Sequence, residues 1–203
     1  MAEKVSIDSI YKIYSNILTP QECKDIIDIF PTLDIKPAGI YGDKDVDKQT
    51  GRIDHTQRKG KVAFAISSEI PHWSKILSAI NHFNLTQGLN LNGMFDIQLA
   101  KYEAGDHFIK HQDTSAKQFS RMADGDNTRK ISASVQLSPE EDYTGGEFVM
   151  MTEKTNEGSN GHVVSKDVGT MVVFPSYCEH MVSEIKSGTR YSLVIWAKGP
   201  YWR

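Results

Sequence analysis

The chain has 203 residues, 39% of them hydrophobic and 24% charged, with a formal net charge of −3. That length carries one domain with a sizeable core, the composition is that of a globular protein, and the slightly acidic balance excludes a wholesale basic surface for duplex DNA. Only two cysteines are present, Cys23 and Cys178, which excludes a disulfide scaffold and any multi-cysteine zinc site and favours a reducing compartment.

The first residues, Met1 to Asp8, hold no apolar core of signal-peptide length, and no run approaches the roughly 18 apolar residues of a membrane span. The expectation is a soluble, cytoplasmic protein with no membrane partner. A short strand candidate, Ile10 to Leu18, leads into a first helix. Thr19 can cap it, Pro20 suits the first helical position and Glu22 completes a capping box. Cys23, Ile26, Ile27 and Phe30 then recur at helical spacing, and Pro31 stops the helix. Residues 39–61 change character, setting Lys44, Lys48, Arg52, Arg58, Lys59 and Lys61 against Asp43, Asp45, Asp47 and Asp54 among several glycines. A segment with so little to bury reads as a solvated loop or as a mobile lid, with Tyr41, Arg52, Arg58 and Lys59 as candidate substrate contacts. A strand candidate, Val62 to Ile66, precedes a second helix from about Pro71 to Phe83, which puts Trp73, Ile76, Leu77, Ile80 and Phe83 on one face.

Past residue 90 the pattern turns to strands: Met94 to Tyr102, Arg129 to Ser138, Glu147 to Thr152, Thr170 to Phe174 and Arg190 to Trp196. No helical pattern lies between them, which disfavours a parallel α/β sheet and favours a sandwich or barrel covered by the two helices. One domain over 1–203 is expected, with 1–90 as support and 91–203 as the core that carries the site. Alternation groups Asp96, Gln98, Ala100 and Tyr102 opposite Phe95, Ile97 and Leu99. It groups Ser132, Ser134 and Gln136 opposite Ile131, Ala133, Val135 and Leu137, and Arg190, Ser192, Val194 and Trp196 opposite Tyr191, Leu193 and Ile195. The more polar face of each strand is taken as pocket lining.

Chemistry concentrates at His111-Gln112-Asp113. On an extended segment, side chains at i and i+2 share a face, so both can address one metal ion. His180, beyond an apolar strand that ends at a turn, is the best third ligand. Two histidines and a carboxylate form the facial triad of non-haem iron oxygenases. Arg190, at the start of its strand, would be a costly buried charge unless an acid paired it, and a dicarboxylate would do so with bidentate geometry.

At this point the sequence resembles a known family. Tyr102-Glu-Ala-Gly105-Asp-His-Phe108-Ile-Lys-His111-Gln-Asp113 is similar to the first metal-binding motif of prolyl 4-hydroxylase-type Fe(II)/2-oxoglutarate oxygenases. The stretch Arg129-Lys-Ile-Ser132, with Gly145-Gly146-Glu147 after it, resembles the middle motif, closest to the PKHD-type hydroxylase branch. Gly169 to Pro175, His180 and Gly188 to Trp196 resemble the last motif. The resemblance implies a mainly β fold with N-terminal helices and a double-stranded β-helix (jelly-roll, cupin-like) core. It implies that His111, Asp113 and His180 bind Fe(II), and that Arg190 and Tyr102 hold the distal carboxylate of 2-oxoglutarate. Gln98 and Gln136 are further candidates for contacting the co-substrate. Gln136 and Val194 stand where some relatives carry Tyr and Thr.

The implied activity is hydroxylation of a C–H bond with dioxygen, releasing succinate and carbon dioxide, with ascorbate as reductant. Related halogenases lack the carboxylate, so Asp113 points to a hydroxylase. By family analogy the substrate is a peptide or protein, in the manner of prolyl 4-hydroxylases, and the mixed charge of 39–61 suits such a polar chain. Nucleic acid is disfavoured because no aromatic-basic strip for base stacking is present. Hydroxylation of a small molecule and a non-catalytic, cupin-like module sensing iron or 2-oxoglutarate are the alternatives, and the oligomeric state is open.

Overall fold

The computed structural model describes residues 10–40, 52–114, 128–155 and 158–200. Its elements in chain order are β1 (Lys12–Tyr14), α1 (Pro20–Asp28), β2 (Lys36–Pro37), β3 (Arg58–Lys59), β4 (Lys61–Ala65), α2 (Trp73–Gln87), β5 (Phe95–Glu103) and β6 (His107–His111). After these come β7 (Thr128–Gln136), β8 (Tyr143–Gly145), β9 (Phe148–Thr155), β10 (Gly158–Val163), β11 (Met171–Pro175), β12 (His180–Val182) and β13 (Ile185–Gly199). The strands form two antiparallel sheets. The larger runs β1-β11-β7-β13-β5-β4-β2, with β8 pairing on β13, and the smaller runs β10-β9-β12-β6-β3. Among the described residues no helix is long and apolar enough to cross a membrane.

The apolar half of each alternating pattern explains why the helices dock where they do. Ile97 and Leu99 of β5, Ile131, Ala133 and Val135 of β7, Met171 and Val173 of β11, and Leu193 and Ile195 of β13 share one face of the larger sheet. Against that face α1 lays Cys23 and Ile26, and α2 lays Ile76, Ala79, Ile80 and Phe83. Each such aliphatic side chain contributes about 1.5–3 kcal/mol on full burial, so this layer is the main source of stability. The capping box forms as its sequence dictates: Glu22 N–H donates to Thr19 Oγ1, and Thr19 N–H donates to the Glu22 carboxylate. The other face of the larger sheet looks onto the smaller one. Two lesser apolar clusters fill that space, one around Val172, Phe174 and Met150, the other around Ala100, Tyr102 and Ile185.

The two-sheet jelly-roll with two covering helices matches the expected architecture, but several elements differ. The first strand is only Lys12–Tyr14, and α2 starts at Trp73, after a left-handed His72, and continues to Gln87, where a left-handed Gly88 ends it. The strand expected from Arg190 begins at Ile185. Gly188 does not break it but allows a kink: its φ is +80°, and a Cβ there would lie 2.0 Å from the Asp142 carbonyl oxygen. Short strands β2, β3, β6 and β12 are too brief to show a period.

The expected lid, residues 39–61, is described only outside 41–51. Parts of 52–61 are tied to the sheets: Ile40 and Arg52 form an isolated bridge, Arg58 and Lys59 pair with Phe108 and His107, and Lys61 pairs with Pro37 and Lys101, while 53–57 are coil and turn. Arg58 is 6% exposed. Where they pair in this way, Arg58, Lys59 and Lys61 belong to the wall of the fold rather than to a cover. Tyr41, with Lys44 and Lys48, lies outside the described residues.

Both cysteines are enclosed. Burial and the neighbouring Glu22 charge push the Cys23 thiol up to about 12, and burial does the same for Cys178. Because the thiolate is the nucleophile, neither should react with iodoacetamide at pH 8 in the folded protein, and both should react after denaturation. Peptide mass spectrometry checks this, and rapid native labelling of either would contradict the packing.

Candidate active site

The register of the smaller sheet brings the two histidines together. His180 opens β12 and is the direct cross-strand partner of His111, the last residue of β6. Facing residues on neighbouring antiparallel strands stand about 4.5–5.5 Å apart at Cβ, and the two rings have centroids 4.2 Å apart. Asp113 lies just past β6, in a bend. Thr114 pins that bend, its N–H donating to the Ser176 carbonyl at 3.0 Å and its hydroxyl to the Arg129 carbonyl at 3.1 Å. The Asp113 carboxylate then sits 3.7 Å from His111 Nε2 and 3.6 Å from His180 Nε2.

Each imidazole is oriented by its other nitrogen. His111 Nδ1 bonds the Ile109 carbonyl at 2.8 Å and His180 Nδ1 the Cys178 carbonyl at 3.1 Å. A carbonyl only accepts, so Nδ1 carries the proton and the Nε2 lone pair faces inward, the arrangement that metal-binding histidines use. Aromatic rings hold both imidazoles in place. Phe108 stacks on His111 at 3.5 Å, Phe148 on His180 at 5.4 Å, and Phe174 leans on His180 at 4.7 Å. Burial, then the His180 charge, pushes His111 down to about 3, with Arg58 adding to the effect. Burial works to raise the Asp113 carboxyl, but His180, His111 and Arg129 hold it down to about 2. At neutral pH the set is a carboxylate with a neutral His111.

The donor set fits a first-row divalent metal. All three ligand atoms lie within 4.8 Å of one another, and Asp113 Oδ2 is buried with no hydrogen-bond partner among the described residues. A buried carboxylate oxygen left without a donor is costly, and a cation held by the three would satisfy it. Two nitrogens and one carboxylate on one side leave the remaining positions open.

Arg190 is the second unsatisfied charge. It is 2% exposed, its Nη1 reaches only Ser192 Oγ at 3.4 Å, and its Nε has no acceptor. Among the described residues no acid pairs with it. Its strand partner is Tyr102, whose ring lies 5.9 Å from the guanidinium carbon. Both line the inner chamber with His111, Asp113, His180, Ser134 and Val194. The space for the arginine depends on Gly146, where φ is +65° and a Cβ would stand 2.3 Å from Ile185 Cδ1 and 3.2 Å from Arg190 Cδ. A carboxylate against Arg190 would resolve its desolvation.

The other sequence candidates divide. Gln98 borders the outer cavity, but its carbonyl oxygen accepts from Arg58 Nη2 at 2.6 Å, so it orients a side chain rather than standing free. Gln136 is a correction: its amide NH2 donates to the Ser138 carbonyl and the Tyr143 hydroxyl, at 2.8 and 3.0 Å, which leaves no N–H for a co-substrate carboxylate. Lys59 turns away to Asp106 at 3.4 Å. Arg52 borders the cavity mouth beside Asp54, at 2.9 Å.

Phe108 was missed, and the reason is a bulge. Three residues on β12, from His180 to Val182, face four on β6, from Phe108 to His111. The extra residue resets the alternation, so that side chains three apart come onto one face. The only sequence signal was an aromatic just ahead of the histidine.

Residues 97–198 match the model of the 2OG-Fe(II) oxygenase superfamily. A PKHD-type hydroxylase of Paracoccus denitrificans is 33% identical over 101 residues, 48% of this chain and 40% of that protein. Another, of Crocosphaera subtropica, is 27% identical over 188 residues, 89% of this chain and 75% of its own. The chain thus spans about 40% of the length of the first of these relatives. Among solved structures, a Pseudomonas putida prolyl-4-hydroxylase superposes with a TM-score of 0.67 at 21% identity, covering 93% of this chain and 92% of that one. A Trichoplax adhaerens prolyl hydroxylase, solved with a hypoxia inducible factor oxygen degradation domain peptide fragment, gives 0.64 at 16%, covering 94% and 84%. These likenesses show the jelly-roll fold.

The triad should bind one divalent ion. Anaerobic titration with Co(II), followed by its d–d absorption, is expected to saturate at one equivalent. Asp113→Ala or His180→Ala should weaken binding by more than the roughly 10–100-fold typical of losing an outer-shell partner, with the circular dichroism spectrum unchanged. Stoichiometric binding by both variants would remove these side chains from the ligand set.

Proposed function

Because the chain belongs to the 2OG-Fe(II) oxygenase superfamily, we propose that it is a hydroxylase in which His111, Asp113 and His180 hold iron and Arg190 anchors 2-oxoglutarate. One observation carries the reading. Two buried features, an Asp113 oxygen and the Arg190 guanidinium, neither with an opposite charge or donor of its own among the described residues, face the same inner chamber. Iron with 2-oxoglutarate and dioxygen, when bound, supplies the oxidising chemistry that puts oxygen into a C–H bond and releases succinate and carbon dioxide.

The chain's own residues contribute position and dryness. The Ile109 and Cys178 carbonyls fix the imidazole tautomers, and Thr114 fixes the carboxylate. Arg190 takes the far carboxylate of the co-substrate and Tyr102 donates its hydroxyl to the same group. Phe108, Phe148 and Phe174 keep water from the ligands. The primary substrate enters from the outer cavity, about 280 Å³ in volume, where Arg129 lies over Trp196 at 3.8 Å. A proline-containing peptide is the substrate we propose, supported by the prolyl hydroxylases among its structural likenesses, with ascorbate as reductant and the cytoplasm as its compartment.

Succinate release from 2-oxoglutarate with Fe(II) and ascorbate tests the reaction class, and none above the metal-free blank would overturn it. Arg190→Ala should weaken 2-oxoglutarate by roughly 2–5 kcal/mol, the usual effect of truncating one side of a buried charge pair. Its KM should rise steeply while metal affinity stays within about twofold. An unchanged KM would place the anchor elsewhere.

A further inference from the structure

Among the described residues, the outer cavity is bordered by five cationic side chains, Lys36, Arg52, Arg58, Lys110 and Arg129, and by one carboxylate, that of Asp113. Four of the five have an acid beside them. Lys36 reaches Asp34 at 2.9 Å, Arg52 reaches Asp54 at 2.9 Å, Lys110 reaches Glu179 at 3.8 Å and Arg129 reaches Asp96 at 3.7 Å. Arg58 has no acid among the described residues, although it is the most buried of the set at 6% exposure. Its Nη1 donates to the Gly39 carbonyl at 3.1 Å and its Nη2 to Gln98 Oε1 at 2.6 Å, both neutral acceptors, while Nε is buried with none.

Desolvating a guanidinium without a counter-charge costs several kcal/mol. The fold nevertheless fixes this one firmly. Arg58 is the strand partner of Phe108, and its guanidinium lies over that ring at 4.5 Å. Phe108 in turn stacks on His111, so the charge is held one ring away from the triad. It borders both the inner chamber and the outer cavity, whereas Arg190 borders only the inner chamber. A co-substrate anchored at Arg190 leaves Arg58 facing the space that the primary substrate fills.

We infer that Arg58 receives a carboxylate of the primary substrate, so that the site selects an anionic substrate. The inference rests on the hydroxylase reading for the words "primary substrate", but it is tested by binding, without turnover. The carboxylate can belong to an acidic residue of a peptide chain or to a free amino acid, and the probes separate the two. Protein loaded with Fe(II) and 2-oxoglutarate under nitrogen is titrated with acetyl-capped, amidated peptides centred on proline, flanked by aspartate or by lysine. N-acetylproline is compared with N-acetylprolinamide in the same way. An acidic probe should bind at least roughly tenfold tighter than its counterpart in one of the two pairs. That preference should vanish in Arg58→Gln and survive in part in Arg58→Lys, which keeps the charge and loses the fork. No charge preference in either pair for the wild-type protein overturns the inference. So does a preference that persists in Arg58→Gln, or a tenfold loss of 2-oxoglutarate affinity in that variant, which would assign Arg58 to the co-substrate. Failure of succinate release in air is a separate result and bears on the hydroxylase reading alone.

Discussion

A charge in a dry interior has to be matched by another, and the space between these two sheets contains charges that no described residue matches. Among the described residues, Asp113 has a bare oxygen, and Arg190 and Arg58 each have a bare Nε. An unpaired buried ion costs several kcal/mol, comparable to the gain from burying two or three aliphatic side chains. The fold answers by dividing its larger sheet into two faces. The face toward α1 and α2 is almost wholly apolar and supplies the stability. The opposite face carries Tyr102, Ser132, Ser134, Arg190 and Ser192 and is left polar for ligands.

That division was legible in the sequence because it rests on the one property of strands that never varies over an unbroken stretch, the alternation of side chains. β5, β7 and β13 keep regular register with one another over the residues that matter, so the pocket-facing and helix-facing halves could be separated by parity. The capping box at Thr19 and Glu22 was equally local, and equally legible. What escaped was set by contacts distant in sequence. Residues 52–61 read as loop because strands of two residues show no period, and only the pairing of Arg58 and Lys59 with β6 and of Lys61 with β2 and β5 makes them walls. Gln136 has the right parity, but Tyr143 and Ser138 claim its amide, which no local pattern reveals.

The smaller sheet works differently from the larger one. The two strands that carry the triad histidines, β6 and β12, are short. Accuracy there comes from pairing across strands together with stacking: His111 between Phe108 and the His180 ring, His180 against Phe148 and Phe174. The bulge in β6 is the device that lets an aromatic and a histidine three residues apart share a face. A regular strand would have put a different side chain under His111.

The long strand β13 carries Arg190 at one end of its ligand-facing stretch and Trp196 at the other, with pairing to β5 unbroken between them. At about 3.3 Å per residue, the two are separated by roughly 20 Å of backbone. The strand therefore acts as a ruler for the depth of the chamber. Such a ruler is graduated in twos: a single inserted residue would turn Trp196 out toward the helices and bring an isoleucine into its place, whereas a pair would deepen the chamber by roughly 7 Å and keep every face. Homologous chambers built on this strand should accordingly differ in depth by whole pleats, and intermediate depths should require a bulge.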